Sequence, residues 1–419
     1  MLISLVILLL YVCYALYRPN RAVLACFPIS MLFTTLPLFS FGKTFVGLDF
    51  ALYLIAIFIV VASSSGLSQK YCPFRKALLA FVGGFMVVFF LGAYRSSVYP
   101  LVVKIISYLF PLFLWKRLRT ANDIKIILRL LVFVSVGIGL YTILECVVGS
   151  NFWMEWLQNQ TAASIYVDHH DDIRFGFGRC NSFFHFPIPL GDYCALILIF
   201  FLFWQMNAKM KMIWRGGKFL MFCSLMFVSL LLSNSRAPIV ALLLGVLHIN
   251  IFKNRKTFWM LVICLCAVCL FGGSYILRSL ESITGGWDEN VGGSSMSMRE
   301  VQLAYCLNEF YQNPLFGAGF NRLMELQEES NRELMGAESQ AFFLLVEQGL
   351  CGIVVYLYGC VSMVRVFWKG NGRRYFKFAL CLALAWVAAD MISLTTGLTI
   401  TFPIILLMIV YRSIQLKIL

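Results

Sequence analysis

Long apolar runs, repeated along almost the whole chain, are the feature that most constrains how this sequence can fold. About thirteen of them approach the ~20 residues that an α-helix needs to cross a bilayer. Because lipid offers no hydrogen-bond partners, a crossing backbone must satisfy its own polar groups, as a helix does. The sequence therefore predicts an all-α polytopic membrane protein, with about 12–13 transmembrane helices in a single transmembrane domain over residues 1–419.

The composition fits a membrane protein and excludes a water-soluble domain. Hydrophobic residues make up 61% of the chain and charged residues only 13%. The net charge of +14 is spread over short links between apolar runs instead of forming one patch, so nucleic acid is not an expected partner. Most cysteines lie inside apolar runs and show neither metal-ligand spacing nor a disulfide framework. We therefore expect no metal site and no cofactor.

Basic residues occur in alternate links, and this alternation predicts the topology. Links rich in Lys and Arg tend to stay on the cytoplasmic side. With thirteen spans the N-terminus lies outside, whereas the loss of one early span would leave both ends inside. The segments that fall outside are a loop at 149–186, the short Ser233–Arg236 turn and a large loop at 278–337.

The large outer loop contains helical signals that a simple connector would not need. Ser297–Glu300 has the spacing of a capping box, and the apolar residues that follow at three- and four-residue spacing predict an amphipathic helix as far as Pro314. A second polar helix is predicted at Arg322–Met335, with Glu328 and Arg332 spaced as an i,i+4 pair. Two short helices over the membrane surface would partly enclose a cavity.

Five segments carry a resemblance to a known family. Individually they are short, but their order, spacing and predicted side of the membrane agree. Together they resemble the O-antigen polymerase and ligase family, over roughly residues 174–355. The segments are Arg179–Pro187, the Leu231–Val240 run with its Ser-Asn-Ser-Arg turn, Arg299, Asn313–Phe320 (Asn-Pro-Leu-Phe-Gly-Ala-Gly-Phe) and Ala337–Gly352.

The resemblance implies a multi-pass inner-membrane glycosyltransferase of polysaccharide biosynthesis. As an O-antigen polymerase, it would transfer a growing glycan from undecaprenyl diphosphate onto the next lipid-linked repeat unit at the periplasmic face, with inversion. The alternative within the family is an O-antigen ligase, which transfers the polymer to lipid A-core. Expected partners are lipid-linked oligosaccharides as donor and acceptor, membrane lipids, a chain-length regulator and a flippase.

The chemistry of such a transfer favours arginines near the outer membrane surface. A diphosphate leaving group gains negative charge, and the planar guanidinium binds phosphate oxygens in pairs. Arg236 follows Ser235 at a predicted helix start, where backbone donors and the helix dipole add to its charge. Arg299 is predicted to close on the same phosphates, and Arg174 and Arg179 are further candidates for substrate binding. Each of these arginines has an ordinary alternative as a surface or headgroup charge.

Glu338 and His185 complete the candidate site. In the ligase branch, the position before this span usually resembles Ala-His-Asn, with the histidine as the proposed base. This chain has Glu338 there, so a carboxylate would handle the acceptor hydroxyl and a polymerase is favoured over a ligase. The alternative is an acidic residue that merely compensates the helix dipole. His185 is a candidate contact to sugar or phosphate.

Other features point to competing interpretations. Lys104, Glu347 and Asp390 lie in or near apolar runs, where ionisable groups are costly and often functional, so a flippase or proton-coupled transporter is a competing class. Such a protein would more naturally show repeated halves, and no sequence repeat is found. The Asp168–Asp172 run offers metal-type ligands without a distal partner, so a hydrated loop is expected there. The paired glycines near Arg174 and at 317 and 319 indicate turns.

The predicted topology has a direct test. Single cysteines placed in 149–186 or 278–337 should react with a membrane-impermeant reagent added from the periplasm, and cysteines in 206–217 or 369–376 should not. Labelling of 278–337 only from the cytoplasm would contradict a catalytic site on the outer face.

Overall fold

The computed structural model describes residues 2–41, 44–63, 72–94, 98–161, 173–174, 177–207, 217–247, 296–329, 339–368, 375–392 and 398–419. These residues are almost entirely α-helical, which confirms the predicted all-α class. The first ten helices are α1 (Leu2–Tyr17), α2 (Pro19–Ser30), α3 (Leu48–Ala62), α4 (Arg75–Leu91), α5 (Val98–Arg117), α6 (Ala121–Val148), α7 (Phe152–Thr161), α8 (Pro187–Asn207), α9 (Gly217–Leu232) and α10 (Arg236–Val246). The remaining helices are α11 (Met296–Gln312), α12 (Arg322–Glu329), α13 (Gln340–Phe343), α14 (Gly349–Arg365), α15 (Phe376–Ile392) and α16 (Thr401–Gln415).

Several helices are long and apolar enough to cross a bilayer, so the chain is a multi-pass membrane protein. By length and composition, four of the described helical runs qualify fully: α5, α6, α8 and the continuous run Gln340–Arg365. Five shorter apolar helices accompany them: α1, α3, α9, α10 and α16.

The second predicted span is wrong in its extent. An apolar run at 22–40 predicts one spanning helix, but α2 ends at Ser30 after 12 residues. At 1.5 Å per residue that is about 18 Å, well short of ~30 Å of hydrocarbon. The chain then turns and forms a two-stranded antiparallel hairpin of β1 (Pro37–Phe41) and β2 (Thr44–Gly47). Hydrophobicity alone does not distinguish this arrangement from a longer helix, because both bury the same side chains.

Helices α8 and α16 form the centre of the bundle. α8 is buried around most of its circumference, and so is the first half of α16. Tyr193 of α8 packs on Phe402 of α16 with ring centroids 5.7 Å apart, and its hydroxyl lies 2.8 Å from the Ser135 hydroxyl of α6. The buried phenol therefore has a partner, as an apolar interior requires.

The run that begins at Gln340 contains a π-helical turn over Leu344–Gln348. A π turn interrupts the i→i+4 pattern and leaves carbonyls available for other donors. The carbonyls of Val346 and Glu347 accept hydrogen bonds from the N–H groups of Ala318 (2.7 Å) and Gly319 (3.1 Å). The outer loop is thus hydrogen-bonded directly to the backbone of a span.

Glycines allow this close approach of the two backbones. Gly317, Gly319 and Gly349 have φ of +70°, +114° and +58°, a region that side chains disfavour. Return bonds run from the N–H of Leu350 to the Pro314 carbonyl over 2.9 Å and from Cys351 to Leu315 over 3.0 Å. The family-like segments Asn313–Phe320 and Ala337–Gly352 therefore meet in space, and the glycines at 317 and 319 are turn glycines as expected.

The two outer helices are present with somewhat different boundaries. The described part of α11 begins at Met296, so Ser297 lies inside the helix instead of capping it. α12 covers the first part of the predicted Arg322–Met335 helix, and the predicted Glu328–Arg332 pair lies outside the residues described in full. Both helices pack on the π-helical run through a small apolar cluster, which consists of Cys306, Leu323, Phe342 and Val346.

Arg322 joins the two outer helices by charge. It contacts Glu309 of α11 over 3.0 Å and Glu329 of α12 over 2.8 Å. The bonds to Glu329 and Glu309 raise the pKa of the Arg322 guanidinium, partly opposed by desolvation. Such partly exposed pairs contribute modestly to stability.

Gly349 offers a test of the backbone contact. A Cβ at this residue would lie 2.6 Å from the Gly317 nitrogen and 2.7 Å from the Pro314 carbonyl oxygen, so Gly349→Ala should destabilise the fold by about 1–3 kcal/mol. Thermal unfolding of the detergent-solubilised protein measures this change. Gly137→Ala is the matched control, because a Cβ there meets nothing within 4 Å. Equal melting temperatures for the two variants would contradict a rigid contact.

Candidate functional site

The turn between α9 and α10 carries Arg236, the leading candidate for an anion site. Ser233, Asn234 and Ser235 complete the reversal and are all buried. Asn234 has φ +48°, a left-handed conformation that Asn adopts more readily than most residues. Its N–H donates to the carbonyl of Leu231 over 2.9 Å. The predicted short turn is therefore confirmed, and Arg236 is the first residue of α10.

The N-terminus of α10 is arranged as an anion site would be. Ser235 occupies the N-cap position with an extended backbone, but its side chain makes no capping bond to the helix. Its hydroxyl donates instead to the Ser233 carbonyl over 3.0 Å. The N–H groups of Arg236 and Ala237, the positive end of the helix dipole and the half-buried Arg236 side chain therefore occur together, while Pro238 contributes no donor.

Arg179, in the 149–186 loop, donates hydrogen bonds to the same turn. Its Nη2 donates to the Ser235 hydroxyl over 3.0 Å and its Nε to the Ser233 carbonyl over 3.4 Å. The neighbouring Cys180 N–H donates to the carbonyl of Leu232 over 3.1 Å. Arg179 is only 8% exposed. The structure thus brings Arg179, Ser235 and Arg236 together.

Two buried polar residues near the end of α6 fix the segment that follows Arg179. The Glu145 carboxylate accepts the N–H groups of Asn181 over 3.0 Å and Ser182 over 2.8 Å. The Asn151 amide donates to the Asn181 side chain over 2.8 Å and to the Ser182 carbonyl over 2.9 Å. All four residues are buried. These bonds satisfy backbone N–H groups that are buried but do not belong to a helix. Because they fix Asn181 and Ser182, they also fix the position of Arg179, two residues before Asn181.

Arg174 and His185 lie on either side of this fixed segment. Arg174 is in a two-residue strand, β3 (Ile173–Arg174), which pairs with β4 (Phe177–Gly178) immediately before Arg179. His185 lies just before α8, and desolvation lowers its pKa to about 4, with partial opposition from a hydrogen bond with the Thr34 backbone. A neutral imidazole offers hydrogen bonds rather than a charge at pH 7. The proposed contact of His185 with substrate stays a prediction.

Arg299 belongs to the large 278–337 loop, and Glu338 follows that loop in the chain. Arg299 is half-buried in the first described turn of α11. Glu338 lies outside the described residues, but the next residue, Ser339, is the N-cap of α13 and accepts the Ala341 N–H over 3.2 Å. The Ser339 hydroxyl also donates to the Met391 carbonyl near the end of α15 over 2.6 Å. The chain next to Glu338 is thus attached to the end of the bundle.

Ionisable side chains also lie deeper in the bundle, where the sequence placed Lys104, Glu347 and Asp390. The Lys104 ammonium lies 5.1 Å from the centroid of the Phe320 ring. Glu347 is buried and accepts the N–H of Asn321 over 2.9 Å, and Asp390 accepts the Tyr356 hydroxyl over 2.7 Å. These groups connect spans to each other and to the outer loop.

Three functional or supporting residues were missed by sequence reasoning. Glu145 and Asp192 are carboxylates inside apolar runs, a signal of interest in itself, and Asn151 follows the end of α6. Asp192 is fully buried in α8, and among the described residues neither of its carboxyl oxygens has a hydrogen-bond partner. Periodicity gives no sign that Glu145 would reach backbone donors of a loop some 36 residues away in the chain.

The fold and this end of the bundle define a multi-pass α-helical membrane protein with an arginine-containing polar site where the Arg179 segment meets the turn before α10. Residues 221–357 match the family model described as O-Antigen ligase, which is consistent with the resemblance to the O-antigen polymerase and ligase family. No curated protein matches the chain at a significant level. The family points to a membrane glycosyltransferase-like enzyme with a role in O-antigen or other polysaccharide assembly.

His185 gives this site a dependence of stability on pH. Its pKa is about 4 in the folded protein and about 6.5 in the unfolded chain, so the unfolded state binds more protons between these values and stability falls as pH drops through that window. At pH 5 the loss should be about 1–2 kcal/mol after allowance for solvent. Melting temperatures at pH 7.5 and pH 5 measure it. His185→Phe should lose less stability on acidification than the wild type; an identical loss would show that other groups are responsible.

Proposed function

We propose that this protein is an O-antigen polymerase of the bacterial inner membrane, with its site facing the periplasm. It would transfer a growing glycan from undecaprenyl diphosphate onto the next lipid-linked repeat unit. The observation that carries the proposal is the grouping of Arg179, Ser235 and Arg236 at the uncapped start of α10. This arrangement suits a diphosphate at the edge of a membrane bundle.

The proposed reaction is a single displacement. The acceptor hydroxyl oxygen forms a bond to the anomeric carbon while the bond from that carbon to the diphosphate oxygen breaks, with inversion. The bonding electrons leave with undecaprenyl diphosphate, which gains a negative charge. Arg236 and Arg299 stabilise this charge, and Glu338 takes the proton of the hydroxyl. Arg174 and His185 contact the substrates in the same proposal.

Arg179 has a positioning role in this scheme. Because its guanidinium is bonded to the turn and largely buried, it holds Ser235 and the start of α10 in place beneath the leaving group. Arg236 is half-buried and presents its charge at the same turn. Arg179 thus orients the turn, and Arg236 stabilises the charge of the leaving group.

An O-antigen ligase is the second candidate, favoured by the description of the matching family model. The two reactions share the donor and the leaving group, so the arginine turn serves both. They differ in acceptor, and the proposed ligase base is a histidine where this chain has Glu338. That difference supports polymerase as the first proposal.

Arg236 is the residue to change first. Arg236→Ala should lower polymer formation about 100-fold or more, because the charge on the leaving group loses its main partner. Arg236→Lys should recover only part of the activity, since an ammonium cannot form the bidentate contact. Glycan length in cells at matched protein levels measures both. Arg18→Ala is the control, an exposed arginine that lies over the neighbouring Tyr17 ring. Normal polymer in Arg236→Ala cells would reduce the residue to a headgroup anchor.

Glu338 separates the two candidate reactions. In a purified assay with lipid-linked single repeats, Glu338→Gln should lose most chain extension while still binding the donor, because an amide cannot take a proton. A residue that only compensates the helix dipole would cost up to ~1 kcal/mol of stability and leave turnover nearly intact. Extension that requires lipid A-core as acceptor would replace the polymerase assignment with a ligase.

A further inference from the structure

A cavity with both polar and apolar walls lies inside the helical bundle, near the helix ends that carry the outer loops. It has a volume of about 150 Å³ and is bounded by α4, α5, the Gln340–Arg365 run, α15 and the start of α16. Gln340 is the first residue of α13, and Thr399 lies just before α16. This volume holds about five waters at ~30 Å³ each, which is also the size of one sugar ring with its substituents.

Neutral polar side chains point to a ligand with hydroxyl groups. Ser107, Gln340 and Gln348 line the cavity, and Gln348 is only 6% exposed. Each glutamine amide offers two donors and one acceptor, and the serine hydroxyl can donate or accept. The hydroxyl groups of a ligand can therefore hydrogen-bond to this wall of the cavity.

The remaining walls combine aromatic rings with a charged and hydrogen-bonded rim. Trp386 and Phe85 supply flat apolar surfaces against which the C–H faces of a sugar ring can pack. Lys104 lines the same space with its ammonium 5.7 Å from the Phe85 ring centroid, and the Tyr356–Asp390 pair forms another side. Aromatic faces beside polar groups suit an uncharged carbohydrate better than a lipid tail.

The cavity and the arginine turn differ in charge. The turn concentrates positive charge on Arg179 and Arg236, whereas the cavity mixes Lys104 with Asp390 and neutral amides. A diphosphate therefore favours the turn. An uncharged sugar favours the cavity, which begins at Gln340, two positions after Glu338 in the chain.

We propose that this cavity binds the terminal pyranose of the acceptor, with Gln348, Ser107 and Lys104 contacting its hydroxyl groups. The inference rests on the proposed transfer reaction and specifies where its second substrate lies. In this arrangement the acceptor sugar enters the end of the bundle beside Gln340, while the donor diphosphate stays at the start of α10.

A cavity-filling variant tests the proposal in the full-length protein in lipid nanodiscs. The acceptor probe is the lipid-linked single repeat isolated from cells that lack this protein, and the donor is purified lipid-linked polymer. Ser107→Phe should raise the KM for the acceptor about tenfold or more, because the ring occupies the space of the sugar. The KM for the donor, and retention of labelled donor on the protein, should stay within about twofold. Val102→Phe introduces the same ring on the exposed face of α5 and should leave both values unchanged.

The outcomes distinguish a failure of the acceptor site from a failure of the proposed polymerase function. An unchanged acceptor KM in Ser107→Phe, or an equal rise in the donor KM, would overturn the acceptor site while leaving the polymerase proposal standing. If Ser107→Phe fails to fold, Gln348→Met takes its place, since it keeps side-chain length and removes the amide, and the same selective rise in acceptor KM is required. A wild-type protein that extends no lipid-linked repeat would contradict the proposed function itself, and the acceptor site with it.

Discussion

Buried backbone N–H and C=O groups outside the helices of a membrane bundle must find hydrogen-bond partners inside the protein. The candidate site depends on the partners that this chain provides. At one loop, the carboxylate of Glu145 accepts two consecutive backbone N–H groups, those of Asn181 and Ser182. At the other loop, the π-helical turn provides the carbonyls of Val346 and Glu347 for Ala318 and Gly319. Described parts of both loops are therefore hydrogen-bonded to the helical bundle.

This arrangement places functional side chains on fixed backbone. Arg179 follows the β3–β4 hairpin and precedes the segment that Glu145 holds, so its guanidinium can reach Ser235. The outer helices pack on the π-helical run through Leu323 and Phe342. Electrostatic stabilisation of a leaving group requires such preorganisation, because a donor that must move first loses part of its effect.

Local patterns in the sequence predict the helical class, most of the described apolar helices and the Ser233–Arg236 turn, since hydrophobic length and turn chemistry are properties of neighbouring residues. The run at 22–40 predicts one long helix where the structure has a short helix and a hairpin, because both arrangements bury the same apolar side chains. The role of Glu145 was missed because its partners are distant in the chain. The glycines at 317 and 319 indicate turns from sequence, but the contact of Gly317 with Gly349 is visible only in three dimensions.

The central claim is that the diphosphate of a lipid-linked donor binds at the start of α10. Electron cryomicroscopy of the full-length protein in nanodiscs with purified lipid-linked donor tests it most directly. We expect diphosphate density within about 3 Å of the Arg236 guanidinium and of the Arg236 and Ala237 N–H groups, with Arg179 still bonded to Ser235. Diphosphate density at the opposite end of the bundle, or away from Arg236, would contradict it.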